Sequence, residues 1–179
     1  MPNIQPIQIE KAGETTKRLL AIASTESSLP SNMLKSVAQS PGALEGYLQF
    51  RRALAAARPD PQQRELIALA VAQANLCEYS LAYHTALGRK LGLTDDHILA
   101  ARQGRASDRK LDAGLRFVRD LVTENGDCSP AELLQAGYSD GEIVEIIALV
   151  SLNIFENYFN AVARTEIDHP KVGVKLKVA

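Results

Sequence analysis

The chain has 179 residues, 46% of them hydrophobic, with 20 Lys and Arg against 21 Asp and Glu. That length and apolar content suit one globular domain with a sizeable core, and a formal net charge of −1 offers neither the basic excess of a nucleic-acid binder nor the acidic run of a solvating tail. With no Trp and few aromatics, the core has to be built from Leu, Ile, Val and Ala, so an all-α fold is expected.

The opening Met-Pro-Asn-Ile-Gln-Pro has no basic stretch leading into an apolar one, so no signal or transit peptide is expected. No segment is expected to be long and apolar enough to cross a bilayer. Cys77 and Cys128 lie far apart, which points to reduced thiols and a cytoplasmic location. Three regions are expected: an N-terminal helical arm (1–40), a helical domain (41–169) and a tail (170–179).

In chain order, Glu10 to Ser24 reads as a first helix, broken at Ser27-Ser28-Leu29-Pro30-Ser31, and Asn32 to Ala38 as a short second one. Ser40-Pro41-Gly42 starts a third, with Pro at N1, running through Leu44, Tyr47, Leu48 and Leu54 to Ala57. Arg51 and Arg52 on its exposed side read first as a solvated face and second as an anion contact. Arg58-Pro59-Asp60-Pro61 ends it. Pro61 to Ala74 is apolar nearly all round after Glu65, the mark of a helix buried on several sides. Asn75-Leu76-Cys77-Glu78 reads as a capping box with Asn75 as N-cap, opening a helix that Gly92 closes. Asp95 to Arg102 follows, capped by Thr94. Asp108 to Glu124 carries an apolar stripe at Leu111, Leu115, Val118 and Val122. Ser129-Pro130-Ala131-Glu132 and Ser139-Asp140-Gly141-Glu142 are two further start signals, the second opening an apolar segment to about Ala163.

The stretch around residue 77 is where chemistry concentrates. An Asn75 cap places Cys77 in a first helical turn, where unpaired N–H groups and the helix dipole favour a thiolate; thiol pKa values there fall from about 8.5 to roughly 3.5–7.5. Ser80 and His84 follow at i+3 and i+7, on the same side. The ordinary alternatives are an inert core thiol for Cys77, a structural histidine for His84, and for Glu65 a charge near a helix N-terminus. His97 reads as a cap-position surface residue and His169 as a tail residue. Cys128 has no acid, base or second thiol at useful spacing. No Cys-x-x-Cys or His-x-x-x-His pair indicates zinc, and no Gly-rich phosphate loop is present.

The order Glu65, eleven residues, Cys77-x-x-Ser80, three residues, His84 resembles the motif of the AhpD-like, or carboxymuconolactone decarboxylase-like, family, in which the position of Ser80 is a second cysteine. The resemblance extends through Leu91 to Asp96 and Leu152 to Asn160, to Asp168-His169-Pro170, covering most of the chain after about Pro41. A weak repeat aligns Asn75-Leu76-Cys77-Glu78 with Asn153-Ile154-Phe155-Glu156 and implies two related helical hairpins. In that second copy Phe155 replaces the thiol and Val162 the histidine, so chemistry is expected in the first copy alone.

The resemblance implies an AhpD-like helical bundle and an antioxidant oxidoreductase acting on hydroperoxides, with no bound cofactor and with electrons from an external dithiol, a lipoyl-type group or a redox partner protein. By position His84 is then the base, Glu65 the relay acid and Cys77 the first thiol. Ser80 cannot form a disulfide or be oxidised in the same way; it is either an engineered replacement or a natural degenerate site, in which a Cys77 sulfenic acid would be resolved by an external thiol. Two other readings stand beside this one. One is a lyase or isomerase using His84 and Glu65 on a small organic acid, for which no positive anchor is evident beside the motif. The other is a non-catalytic helical oligomer. Residues 62–74 and 143–155 are apolar nearly all round, which predicts at least a homodimer with the second-half helices and the tail at the interface.

Overall fold

The computed structural model describes residues 1–24 and 30–176. Within them the chain forms one short 3₁₀ turn, Ile9–Lys11, and nine α-helices: α1 Glu14–Ser24, α2 Asn32–Val37, α3 Pro41–Ala55, α4 Pro61–Ala74, α5 Glu78–Lys90, α6 Asp95–Arg102, α7 Arg109–Thr123, α8 Ala131–Gln135 and α9 Asp140–Ala163. The fold is all-α. The expected break after the first helix falls partly outside the described residues, and the single helix expected from Glu10 is instead the 3₁₀ turn followed by α1.

Most helix starts follow local sequence chemistry. The side chains of Ser31, Ser40, Thr94 and Asp108 each accept a hydrogen bond from a backbone N–H of the turn they cap. Asp60 with Gln63 and Ser139 with Glu142 form reciprocal capping boxes, each satisfying two donors that a helix leaves orphaned. α8 is less well fixed: Pro130 occupies its cap and Ser129 Oγ accepts from Ala131 N.

α4 is the central element. Leu66 to Ala72 are buried without interruption, because the helix is packed by α5, α6, α7 and α9 together. Its all-round apolar character, expected to signal a partner chain, is therefore accounted for inside the chain. The N-terminal arm closes over the end of α9: Asn3 N donates to Ala163 O at 2.7 Å and Asn32 N to Asp168 Oδ2 at 2.7 Å. The tail runs across the surface, where Gln73 Nε2 donates to Val174 O and Arg102 Nη2 to Gly173 O.

Two expectations are corrected. Asn75 is not an N-cap; it ends α4, and Cys77 is the N-cap of α5 with no side-chain cap bond. Cys77 N donates to Ala72 O and Leu76 N to Gln73 O, the paired bonds of a Schellman closure, and Leu76 takes the left-handed position with φ 53°. The Asn and Glu that looked like a capping box thus lie on two different helices. Second, α9 has the length and composition of a membrane span, with a mean hydropathy of 1.4. Here it is a core helix: Asn153, Glu156, Asn157 and Asn160 are buried along one side, and it packs on α3, α4, α5 and α7. The repeated tetrads also differ in conformation, 75–78 spanning the α4–α5 break and 153–156 lying inside continuous α9.

Candidate active site

The Schellman turn folds α5 back along α4, so residues far apart in sequence meet. Glu65 leaves the second turn of α4 and His84 the second turn of α5, and His84 Nδ1 lies 2.8 Å from Glu65 Oε2. Both are well buried, with side chains 9% and 12% exposed, so their attraction is little screened by solvent, while removing one partner would leave the other's charge uncompensated. The expected Glu65–His84 relationship is present as a direct contact.

α9 adds a second carboxylate from the other side. Glu156 Oε2 stands 3.5 Å from His84 Nε2, close enough to act through charge but too long for a good hydrogen bond. Nε2 has no hydrogen-bond partner among the described residues. The other oxygen, Glu156 Oε1, accepts the phenol O–H of Tyr47 from α3 at 2.6 Å. Tyr83 presents its ring edge-on to His84, with centroids 5.0 Å apart, and likewise to His169 at 5.1 Å.

These neighbours set the imidazole's charge. Burial is the largest single influence and favours the neutral ring, but the charge of Glu65, the approach of Glu156, the Glu65 hydrogen bond and the Glu156 charge outweigh it, and the pKa is pushed up to about 9. The two carboxylates thus favour the charged imidazolium form of His84. Tyr47 is driven well above the ordinary phenol value by burial and by the Glu156 charge, so it remains a hydrogen-bond donor.

The thiol sits differently. Cys77 is buried, and its Sγ donates to Ser80 Oγ at 3.3 Å. Ser80 and His84 line a cavity of about 650 Å³ whose lining does not include Cys77. Ser80 and His84 thus line the cavity together, and Cys77 contacts Ser80 without lining it. Glu65, Glu156, Tyr47 and Asn160 also line the cavity, between aliphatic walls that include Met33, Leu34, Leu48, Leu149 and Leu152. Asn160 is 4% exposed and neither atom of its amide has a partner among the described residues.

Arg51 and Arg52 from α3 and Arg64 from α4 line the same cavity. The expectation that no positive anchor lies beside the motif is thereby corrected: Arg64 immediately precedes Glu65, and α3 brings two more guanidinium groups. Sequence reasoning also missed Glu156 and Tyr47. Tyr47 reads as an ordinary core position, and Glu156 surfaced only as the counterpart of Glu78 in the weak repeat. Glu78 itself is exposed, so the copy expected to be inert supplies the acid that reaches His84. Phe155 and Val162, at the thiol and histidine positions of that copy, point to the surface, 40% and 67% exposed. His97 N donates to Thr94 Oγ1, and Cys128 stands apart from the site in the loop after α7. No group of His, Cys, Asp or Glu able to hold a metal ion is found among the described residues.

Residues 41–119 match the carboxymuconolactone decarboxylase family. No curated protein matches the sequence significantly. Solved structures with the same fold include an AhpD-core, peroxidase-related protein from Ralstonia eutropha JMP134, 18% identical, covering 93% of this chain and 92% of its own, with a TM-score of 0.81. A peroxidase-related protein from Silicibacter sp. TM1040 is 18% identical over 92% of each chain, with a TM-score of 0.76. A variant of the debrominase Bmp8 in complex with 2,3,4-tribromopyrrole is 17% identical over 93% and 91%, with a TM-score of 0.79. The segment 41–119, which holds Glu65, Cys77, Ser80 and His84, thus matches the carboxymuconolactone decarboxylase family model, and the chain shares its helical fold with AhpD-core structures.

Proposed function

We propose that the protein is an enzyme that moves protons on a small, partly apolar organic acid, with His84 as the proton-transferring group and Glu65 as the residue that orients and charges it. One observation carries the reading: Nδ1 of His84 is occupied by Glu65 at 2.8 Å, while Nε2, in a ring lining the cavity, is left without a hydrogen-bond partner among the described residues. That is the geometry of a positioned general acid, a role typically worth 10²–10⁴-fold in rate. A cavity of about 650 Å³ is ordinary for a small-molecule site, and its arginines suit a carboxylate. The same fold in Bmp8 is found with a small halogenated ring, which supports a compact, partly apolar ligand.

A second reading is favoured by the 3.3 Å contact of Cys77 Sγ with Ser80 Oγ, which puts a thiol next to the position where the family motif has its second sulfur. In it, Cys77 is oxidised by a hydroperoxide to a sulfenic acid and an external dithiol or lipoyl-type reductant resolves it. The burial of Cys77 and its absence from the cavity lining weigh against it, since reactive thiols are partly exposed.

The test is a proton-exchange screen. Lactones and oxo acids are incubated in D₂O and followed by ¹H NMR, beside a peroxide assay with dihydrolipoamide. Enzyme-dependent deuterium uptake and no peroxide turnover support the acid–base reading; peroxide turnover that requires Cys77, without exchange, overturns it. Arg52→Gln and Arg64→Gln are expected to weaken binding of octanoate but not of octanol in calorimetry, and equal losses for both ligands would remove the carboxylate from the proposal.

A further inference from the structure

We propose that Glu156 is the second acid–base residue of this site, that its Oε2 and the Nε2 of His84 together grip a carbonyl compound bearing an acidic α-hydrogen, and that Tyr47 positions Glu156 for the task. The inference rests on the acid–base reading and names its substrate class.

The geometry that points there is the relation between two atoms. Glu156 Oε2 and His84 Nε2 are 3.5 Å apart, too far for a good direct hydrogen bond and close enough for both to reach neighbouring atoms of one bound molecule. Both residues line the cavity. Tyr47 holds the far oxygen of the carboxylate at 2.6 Å, which fixes the carboxyl plane and leaves Oε2 to face the imidazole. The polar groups lining the cavity with the ring come from four helices: Tyr47 and Arg51 on α3, Arg64 and Glu65 on α4, Ser80 and Tyr83 on α5, and Glu156 on α9.

Charge gives the pair complementary roles. Glu65 and Glu156 stand at the two nitrogens of one imidazole, Glu65 at Nδ1 and Glu156 at Nε2. Glu65 is tied to Nδ1 at 2.8 Å, and Glu156, without so short a bond to the ring, is the one free to act. The step balances within the site. The α C–H bond of the substrate breaks and its proton goes to Glu156 Oε2. The released electron pair forms the C=C bond of an enol, and the carbonyl oxygen takes the proton on His84 Nε2. Return of the proton from Glu156 to the α carbon, as the enol O–H gives its proton back to His84 Nε2, regenerates the carbonyl and both residues; where the enol is conjugated with a further C=C bond, return to the far carbon of that system completes an isomerisation, with no oxidant or reductant consumed.

The pairing is tested without turnover. The chain has three histidines, so the His84 ring can be followed by ¹⁵N-detected NMR titration in the wild type, Glu156→Gln and Tyr47→Phe. Glu156→Gln is expected to lower the His84 midpoint by about one unit or more, a tenfold loss of proton affinity. Tyr47→Phe, which releases the carboxylate from its place, is expected to lower it part of the way while leaving the fold intact. A midpoint unchanged to within about 0.3 unit in both variants, a twofold effect at most, overturns the role of Glu156 and leaves the function proposed for His84 standing. The second measurement is deuterium uptake by cyclohexanone: uptake by the wild type that falls at least tenfold in Glu156→Gln, with binding of cyclohexanone retained, supports the proposal. A shifted midpoint with no difference in uptake between wild type and Glu156→Gln shows a charge partner only and overturns the proposed catalytic role.

Discussion

His84 Nδ1 on α5 and Glu65 Oε2 on α4 meet at 2.8 Å in the interior of the chain. The contact exists because the turn at Asn75 and Leu76 lets α5 pack against α4. A buried imidazolium held this way links the site to the stability of the fold.

The first expected outcome is a pH dependence. The His84 pKa is raised to about 9 in the folded state against about 6.5 in an unfolded chain. A group whose folded pKa is raised contributes stability that is fully present below the unfolded value and is lost as pH rises through the folded one. Urea unfolding at pH 6, 7.5 and 9.5 should therefore show stability falling across this window, by on the order of 3 kcal/mol. Glu65→Gln should flatten the dependence, and a flat wild-type profile would contradict the ion pair.

A second outcome concerns sulfur. Cys77 Sγ and Ser80 Oγ are 3.3 Å apart, so Ser80→Cys should place two sulfurs close enough to join across one helical turn at about 2.05 Å with a small adjustment. Thiol titration should count three reduced thiols in this variant and one after mild oxidation, and peroxide consumption with dihydrolipoamide should rise above the wild-type level. Three titratable thiols persisting after oxidation would show that the turn does not allow the bond.

The turn itself carries strain. Leu76 has φ 53° and is 63% exposed, so it occupies a conformation that disfavours a β-carbon while burying little. Leu76→Gly should raise stability by about 0.5–1 kcal/mol, measured by chemical denaturation. A loss instead would mean that the exposed leucine is covered by another chain.

Assembly gives the fourth. Val144, Ile147, Phe155, Tyr158 and Val162 form an exposed apolar stripe along α9, each at least 40% exposed, at spacings that share one helix face. We propose that this stripe mediates a homo-oligomer. Light scattering should give a multiple of the chain mass for the wild type and the monomer mass for Val144→Glu combined with Val162→Glu; a monomeric wild type at working concentration would contradict it.

Much of this was legible in the sequence because local rules governed it. Ser40, Thr94, Asp108 and Ser139 announce helix starts by their own hydrogen-bonding chemistry, and the apolar run from Leu66 to Ala72 announces a central helix. Glu65 and His84 were brought together by the family resemblance and not by any local pattern. What escaped was fixed by tertiary packing. The Asn75 signal failed because a Schellman closure competes with a capping box for the same residues. Tyr47 and Glu156 are separated by more than a hundred residues, and no local pattern distinguishes a buried acid on an apolar helix from a solvated one. Arg51 and Arg52 read first as a solvated face, and Arg52 is exposed; that both also line the cavity depends on walls built from other helices.

The most direct test of the central claim compares Cys77→Ala with His84→Gln in the proton-exchange assay, using a substrate that the wild type deuterates. An acid–base enzyme built on His84 should keep its exchange rate within about threefold in Cys77→Ala and lose about 10²-fold or more in His84→Gln. Loss of activity in Cys77→Ala with retention in His84→Gln would contradict the account and return the site to thiol chemistry.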